Sequence, residues 1–245
     1  MKFAGIIAEY DPFHNGHAWQ LAQAKALGAE RVAVAMSCSL VQRGALPLLP
    51  EAVRTRSALT CGADLVFALP APCACAGAEA FARAGVALLA AAGCDGLVFG
   101  AETPDAALLM EAAELLDSGS YRAALKAQLA GGARSFAAAR QAAAAQLASD
   151  ERVAALLDKP NNNLAVEYCR AIRSLAPRME AYPLPRQGAN HGEALHSAHG
   201  QFASASALRK LWAEGGADAV APYVPEAVFP LYQEAYAAGQ RSEEH

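Results

Sequence analysis

The chain has no uncharged apolar run of about 18 residues or more, so no membrane-spanning helix is expected. An excess of positive charge is also missing. Its 20 Lys+Arg against 24 Asp+Glu leave a net charge of −4, which argues against nucleic-acid binding over the whole surface. Local basic groups exist (Arg170, Arg173 and Arg178; Arg209 with Lys210), and each reads equally well as a solvated helix face. GxGxxG and GxxxxGKS/T are both absent, which removes the usual dinucleotide and P-loop readings. No serine–histidine–acid or cysteine-nucleophile motif stands out. The six cysteines (38, 61, 73, 75, 94, 169) are scattered through apolar segments, and Cys73-x-Cys75 lacks the spacing of zinc and redox pairs. Buried thiols in a reducing cytoplasm are the expectation. Met1-Lys2-Phe3 leads straight into a patterned strand, so no signal peptide is expected. No internal repeat is visible.

What is present is alternation. The 54% hydrophobic content is inflated by alanine, a helix former. Strand 2–9, helix 16–27, strand 31–36, helix 51–61, strand 64–68, helix 77–92 and strand 96–99 follow one another, the pattern of an α/β fold with a parallel sheet and helices on both faces. Residues 104–157 are alanine-rich without strand-like segments and read as a helical insertion of three or four helices, broken at Gly131-Gly132. Pro160 opens another helix, with an asparagine expected to accept from a free N–H. Met179–Tyr182 reads as a last strand ending at Pro183 and Pro185, residues 186–201 as a mobile loop, and Ser204–Trp212 as a helix. The expected organisation is an α/β domain over 1–225 with the insertion at about 104–157, followed by a C-terminal helix and tail over 226–245.

The segment GIIAEYDPFHNGHAWQ at 5–20 carries the most chemical information. Gly5, Ile6, Ile7 and Ala8 form a strand that breaks at Asp11-Pro12, where proline removes an N–H and disfavours helix before it. His14 and His17 follow around Gly16 at the start of a helix. At i and i+3 their imidazoles face one point, beside free helix N–H groups that attract anions. His-x-x-His also chelates zinc, but no cysteine or carboxylate at ligand spacing accompanies it, so no metal site is expected. In such sheets ligands sit beyond the carboxyl ends of the strands. His14, Gly100 and the loop from Ser37 all follow strand ends, and one crevice is expected to receive all three.

These residues suit transfer at a nucleotide α-phosphate, which needs in-line positioning and donors aimed at developing charge more than covalent help. His14 and His17 are the catalytic candidates. Ser204 and Ser206, at a helix start, and Arg209 are candidates for binding the leaving diphosphate. Magnesium is expected on the triphosphate, without a protein cage of its own.

GIIAEYDPFHNGH is a variant of the HxGH signature of class I nucleotidyltransferases. Together with MSCSLVQRGALP at 36–47, GADLVFALP at 62–70, GCDGLVFGAE at 93–102, KPNNNLAVEY at 159–168 and the serine-rich FASASALRKLW at 202–212, it closely resembles the bacterial tRNA(Met) cytidine acetate ligase family. The resemblance runs from residue 1 to about 225. It implies a Rossmann-like (HUP/nucleotidyltransferase) sheet and a cytoplasmic enzyme. That enzyme would form acetyl-adenylate from ATP and acetate and acetylate N4 of the wobble cytidine of elongator tRNA(Met). By position, it implies an ATP site of Ile7, Ala8, Glu9, Tyr10, Asp11, Pro12, Phe13, His14, Asn15, Gly16, His17, Ala18, Trp19 and Gln20. Gly100, Asn161, Asn162, Arg186 and Gln187 complete that site. Gln42 and Arg43 would line the crevice from the second strand's loop, and Glu9 would orient a histidine.

Several positions depart from the family pattern. Asp11 stands where Asn is common, Gln20 where His is, and Ala101 where Ser is. Cys38-Ser39-Leu40 replaces Gly-Asn-Phe, and Pro50-Glu51 replaces Asp-Lys. Gly188-Ala189-Asn190-His191 replaces a tyrosine-bearing segment. Family members continue well beyond this length with a further helical, basic region, so the resemblance implies adenylate chemistry more directly than tRNA recognition. Two other functions fit the same residues. One is a nucleotidyltransferase moving AMP or CMP onto a small phosphorylated acceptor, and the other is a nucleotide-binding protein without turnover.

Overall fold

A computed structural model describes residues 1–133, 135–186, 195–197 and 200–239, so Gln187, residues 188–191 and the tail beyond 239 lie outside the described residues. The chain begins with β1 (Phe3–Ala8), α1 (Asn15–Ala26), β2 (Arg31–Ser37), α2 (Glu51–Thr60), β3 (Leu65–Leu69), a short α3 (Ala71–Ala74), α4 (Ala78–Ala91) and β4 (Gly96–Ala101). Four helices follow: α5 (Ala106–Asp117), α6 (Gly119–Ala130), α7 (Phe136–Leu147) and α8 (Glu151–Leu156). Then come α9 (Pro160–Leu175), β5 (Glu180–Pro185), β6 (Leu195–Ser197), β7 (Gly200–Phe202), α10 (Ala205–Val220) and α11 (Phe229–Ala237).

β1 to β5 form one parallel sheet in the order β3-β2-β1-β4-β5. Chain order reverses between β1 and β4, and that switch point leaves a crevice beyond their carboxyl ends. The central strands are apolar on both faces because both are covered: Val32 to Met36 of β2 are fully buried. One core joins α4, α5 and α9 to the sheet through Leu89, Leu97, Leu109, Val166 and Ile172. The other joins α1, α2, α10 and α11 through Ile6, Leu21, Val53, Trp212 and Tyr232. Each fully buried aliphatic or aromatic side chain contributes about 1.5–3 kcal/mol. The packing of α4 on the sheet depends on Gly85, where a Cβ would lie 2.6 Å from Ile7 Cδ1.

Two expectations need correction. The strand expected over Met179–Tyr182 and ended by Pro183 and Pro185 instead spans Glu180–Pro185 and includes both prolines, pairing Phe99 with Pro183 and Ala101 with Pro185. β5 is the edge of the sheet, where a strand tolerates proline because no further neighbour needs its N–H. The stretch read wholly as a loop includes an antiparallel pair, Leu195 with Phe202 and Ser197 with Gly200.

Two of the three arginines read as a local basic group, Arg170 and Arg173, are ion-paired. Arg170 bridges Glu167 at 2.7 Å, Asp117 at 2.8 Å and Glu79 at 3.4 Å, and Arg173 lies 3.6 Å from Glu114. With Arg140 to Glu167 at 2.8 Å, these pairs tie the helical insertion to α4 and α9.

Candidate active site

The chain leaves β1 through Glu9 and Tyr10, then turns at a cis Asp11–Pro12 bond into α1. Tyr10 adopts a left-handed φ of 51°, costly for a bulky residue and kept only where surroundings over-determine it. Here they do: its ring is buried against Phe13 and His17, each with centroids 4.8 Å away. Phe13 is buried too, and its carbonyl accepts from the Tyr232 hydroxyl at 2.7 Å. Tyr10, Asp11, Pro12 and Phe13 therefore form the buried wall behind the signature loop, with their side chains away from open space.

His14 and His17 cap α1 together. His14 Nδ1 accepts from Gly16 N at 3.0 Å, and His17 Nδ1 accepts from His14 N at 3.3 Å. The rings stack with centroids 3.7 Å apart and planes 21° from parallel. A neutral imidazole has one donor nitrogen and one acceptor nitrogen. Because each Nδ1 is already an acceptor, the neutral proton sits on Nε2 in both rings. Burial, with a contribution from the Arg186 charge, holds His14 down to about 4 and His17 well below the usual histidine range. Both rings are thus neutral Nε2–H donors at pH 7. Gly16 is required here, since a Cβ would lie 2.9 Å from His14 Cε1.

Both histidines line a cleft of about 270 Å³ at the switch point. Ile7, Gly16, Trp19, Gln20, Gly100, Asn161, Arg186 and Ser204 line it as well. Gln20 is fixed by donating to Val98 O at 3.1 Å. Ala8 and Ala18 pack in the core beside the cleft, and Asn15 Nδ2 donates outward to Pro222 O at 3.2 Å. Ser204 Oγ caps α10 by accepting from Ala207 N at 3.2 Å and pairs with Ser206 Oγ at 3.0 Å, while Ser206 itself is exposed. Arg209 donates through Nη1 to Asp11 O at 2.7 Å and Oδ2 at 3.1 Å.

The two asparagines behave differently from the expected helix cap. Glu102, at the end of β4, caps α9: its carboxylate accepts from Asn161 N at 3.2 Å, Asn162 N at 2.7 Å and Asn161 Nδ2 at 2.6 Å. Asn162 is buried, and it closes on Thr103, accepting from its N at 2.9 Å and donating to its Oγ1 at 3.1 Å. Only Asn161 faces the cleft.

The loop from Ser37 does not reach the cleft lining. Ser37 is buried, Gln42 N donates to Glu9 Oε1 at 2.5 Å, and Arg43 Nη2 donates to Asp11 Oδ2 at 2.9 Å. Glu9 therefore holds this loop, not a histidine, among the described residues. Burial raises its carboxyl, against the lowering effect of the Gln42 N–H.

Sequence reasoning missed Phe99, Leu164, Tyr168, Leu184, Pro185, Ala203 and Ala205 in the lining. A helical signal for two of them was available, because Leu164 and Tyr168 follow Asn161 on one face of α9 at helix spacing. It also missed Arg54. This fully buried residue of α2 donates to Leu49 O at 3.0 Å, Glu9 O at 2.7 Å, Ser37 O at 2.6 Å and Cys38 O, fastening the ends of β1 and β2 beneath the loops. No local pattern marks such a role. Among the described residues no cluster of three His, Cys, Asp or Glu is placed to hold a metal ion, and no helix is long and apolar enough to cross a membrane.

A family model described as HIGH Nucleotidyl Transferase matches residues 1–244. The chain is 41% identical over 218 residues to the tRNA(Met) cytidine acetate ligase of Syntrophotalea carbinolica, covering 88% of this chain and 52% of that protein. It is 35% identical over 244 residues to the protein of the same name from Caldanaerobacter subterraneus subsp. tengcongensis, covering 98% and 60%. A crystal structure of Thermotoga maritima TmcAL bound with alpha-thio ATP superposes with a TM-score of 0.87 at 30% identity, covering 98% of this chain and 57% of that one. The chain thus spans between 52% and 60% of the length of these matched proteins.

Proposed function

Because the chain belongs to the HIGH nucleotidyl transferase family, we propose that it activates a carboxylate, acetate first among them, by transfer of the adenylyl group of ATP to a carboxylate oxygen. The observation that carries the reading is the pair of neutral imidazoles lining the switch-point cleft at the start of α1, each with Nδ1 committed to the turn so that Nε2–H is its remaining donor. The α-phosphate would lie against those donors, since the N–H groups of Gly16, His17 and Ala18 already bond within the turn, with the base on the apolar side formed by Ile7, Phe99, Leu164 and Tyr168. Arg186 and Ser204 would meet the remaining phosphates. Magnesium would enter on the triphosphate and supply charge neutralisation there, with the chain contributing no cage of its own.

In the first step an acetate oxygen attacks the α-phosphorus, forming a mixed anhydride. The bond to the bridging β-oxygen breaks, and diphosphate leaves with the electron pair. The histidine donors act on charge that grows on the non-bridging oxygens as this happens. In the second step the N4 amine of a cytidine attacks the acetyl carbon and loses a proton, and AMP leaves. The likeness to proteins named tRNA(Met) cytidine acetate ligase supports the elongator tRNA(Met) wobble cytidine as acceptor. It also supports a cytoplasmic setting, in keeping with six free thiols.

The test is incubation with ATP, magnesium and radiolabelled acetate. Labelled acetyl-adenylate with diphosphate release is the expected result. Diphosphate release only on addition of a phosphorylated acceptor would point to AMP transfer, and ATP binding with no diphosphate release would point to a protein without turnover. Electrophoretic shift of elongator tRNA(Met) across a salt series tests the second substrate separately.

A further inference from the structure

The two edges of the sheet are built differently. β5 ends it on one side, where Glu180 N and Arg186 N point inward to Asp95 O at 3.0 Å and Ala101 O at 3.3 Å. Donors of a parallel strand alternate between its two sides, so Pro183 and Pro185, at odd spacing from these residues, stand where outward N–H groups would be. That edge is closed to a further strand. β3 ends the sheet on the other side with the run Leu65-Val66-Phe67-Ala68-Leu69, which holds no charge, proline or glycine. Among the described residues, nothing but β2 hydrogen-bonds to the backbone of residues 65–68. β2 is buried along its length after Arg31, whereas Leu65 is 45% exposed and Ala68 is exposed as well. An apolar edge with free backbone groups is a template for one more strand.

We propose that β3 pairs with β3 of a second copy of this chain, antiparallel about a two-fold axis at Phe67, to give one continuous sheet. The sequence of the edge suits that occupant. The axis sets Leu65 opposite Leu69, Val66 opposite Ala68 and Phe67 opposite Phe67 of the second copy, so every pair is apolar and no like charges face. Opposite residues then differ by an even number, so outward-facing residues meet outward-facing residues and free donors find acceptors. Asp64 and Pro70, both exposed, bound the run and fall opposite each other at its rim, and Asp64 is already held by Lys25 at 2.7 Å. The pairing closes at two copies. A head-to-tail chain would need β3 against β5, and the outward prolines of β5 cannot donate. A strand of this length, about 17 Å, covers well under the roughly 800 Å² per partner of a stable dimer, so the association is weak and depends on concentration. β2 separates this edge from the switch point between β1 and β4, so the pairing uses no residue of the cleft and is independent of the reaction performed there.

Sedimentation equilibrium of the full chain, from about 1 µM to about 200 µM as suits a weak contact, tests this. The wild type should pass from monomer to dimer and no further. Leu65→Lys and Ala68→Lys, at exposed positions of the edge, should each weaken dimerisation about tenfold, since lysine on a sheet edge opposes pairing. Leu129→Lys, equally exposed on α6, should leave it unchanged. The double variant Val66→Glu/Ala68→Lys sets opposite charges across the axis in this register and should dimerise more tightly than Ala68→Lys alone. Amide hydrogen exchange of the wild type should show residues 65–69 better protected at the high concentration than at the low one. A wild type that stays monomeric, growth beyond the dimer, indifference to both edge lysines, or equal weakening by Leu129→Lys would each overturn the proposal. If the edge variants do not fold, the exchange measurement decides alone, and β3 amides without added protection overturn it.

Discussion

His14 and His17 close the same helix start: His17 Nδ1 accepts from His14 N, His14 Nδ1 accepts from Gly16 N, and the rings stack at 3.7 Å. A capping role and a chemical role thus fall on opposite nitrogens of the same ring, and they can be separated. His17→Asn retains an acceptor near the Nδ1 position but has no donor where Nε2 stands, whereas His17→Ala loses both. Either change should lower kcat for acetyl-adenylate formation by about 10²–10³-fold, the scale seen when one donor to developing phosphoryl or oxyanion charge is removed. ATP affinity should fall far less, because the donor acts mainly on transition-state charge. His17→Ala should in addition lose about 1 kcal/mol of stability through the cap. Steady-state kinetics and denaturant unfolding check the two parts, and equal losses in kcat and ATP affinity would remove the role.

The same burial makes stability depend on pH. An unfolded histidine titrates near 6.5, but burial holds His14 to about 4 in the folded protein and His17 well below its usual value. Between those limits the unfolded chain binds protons that the folded chain refuses, so stability rises with pH. This contribution is fully present above about 6.5 and is lost progressively as pH falls towards 4. Thermal unfolding of the nucleotide-free protein should show a midpoint that drops from pH 7 to pH 5. The double variant His14→Asn/His17→Asn should show a visibly flatter dependence, and parallel curves would refute the assignment.

Much of the architecture is carried by local pattern. Val32 to Met36 read as a buried strand because both faces of β2 are covered, and Gly131-Gly132 separates α6 from α7 as its composition indicates. The histidine pair is legible because strand, turn and helix start are consecutive in the chain. Features that depend on partners distant in sequence are not. The continuation of β5 through Pro183 and Pro185 follows from its place at the sheet edge, and the cap of α9 comes from Glu102, 59 residues before Asn161. Arg209 reads as a free phosphate ligand until Asp11, 198 residues away, is placed against it.

Arg54 gives the clearest stability prediction. Its guanidinium is completely buried and is satisfied by the carbonyl of Ser37 in β2 and by carbonyls of the loops after β1 and β2, with no ion pair among the described residues, while Asp11, Glu51 and Glu9 lie near enough to favour its charge. Arg54→Met preserves much of the volume but strands several buried acceptors, each worth about 1–3 kcal/mol when unsatisfied. A loss of about 3 kcal/mol or more in urea unfolding is expected. Because those carbonyls belong to the ends of the strands beneath the signature loop, residual folded protein should also bind ATP more weakly. A stability change under about 1 kcal/mol would mean that water or rearranged donors replace the guanidinium.

Asn161 and Asn162 are adjacent, share Glu102, and should nonetheless separate cleanly. Asn161 lines the cleft with its Oδ1 uncommitted among the described residues, while Asn162 is 1% exposed and spends its amide on Thr103. Asn161→Ala should weaken ATP by about tenfold, the cost of a hydrogen bond to a charged or strongly polar ligand group, with little change in unfolding midpoint. Asn162→Ala should do the reverse. It leaves Thr103 N–H unpaired in the interior and should cost about 1–3 kcal/mol of stability, while ATP affinity per folded molecule stays near wild type. Titration and unfolding of the two variants side by side distinguish a ligand contact from a scaffold contact, and an ATP defect in Asn162→Ala as large as that in Asn161→Ala would mean that the turn from β4 to α9 moves as one piece.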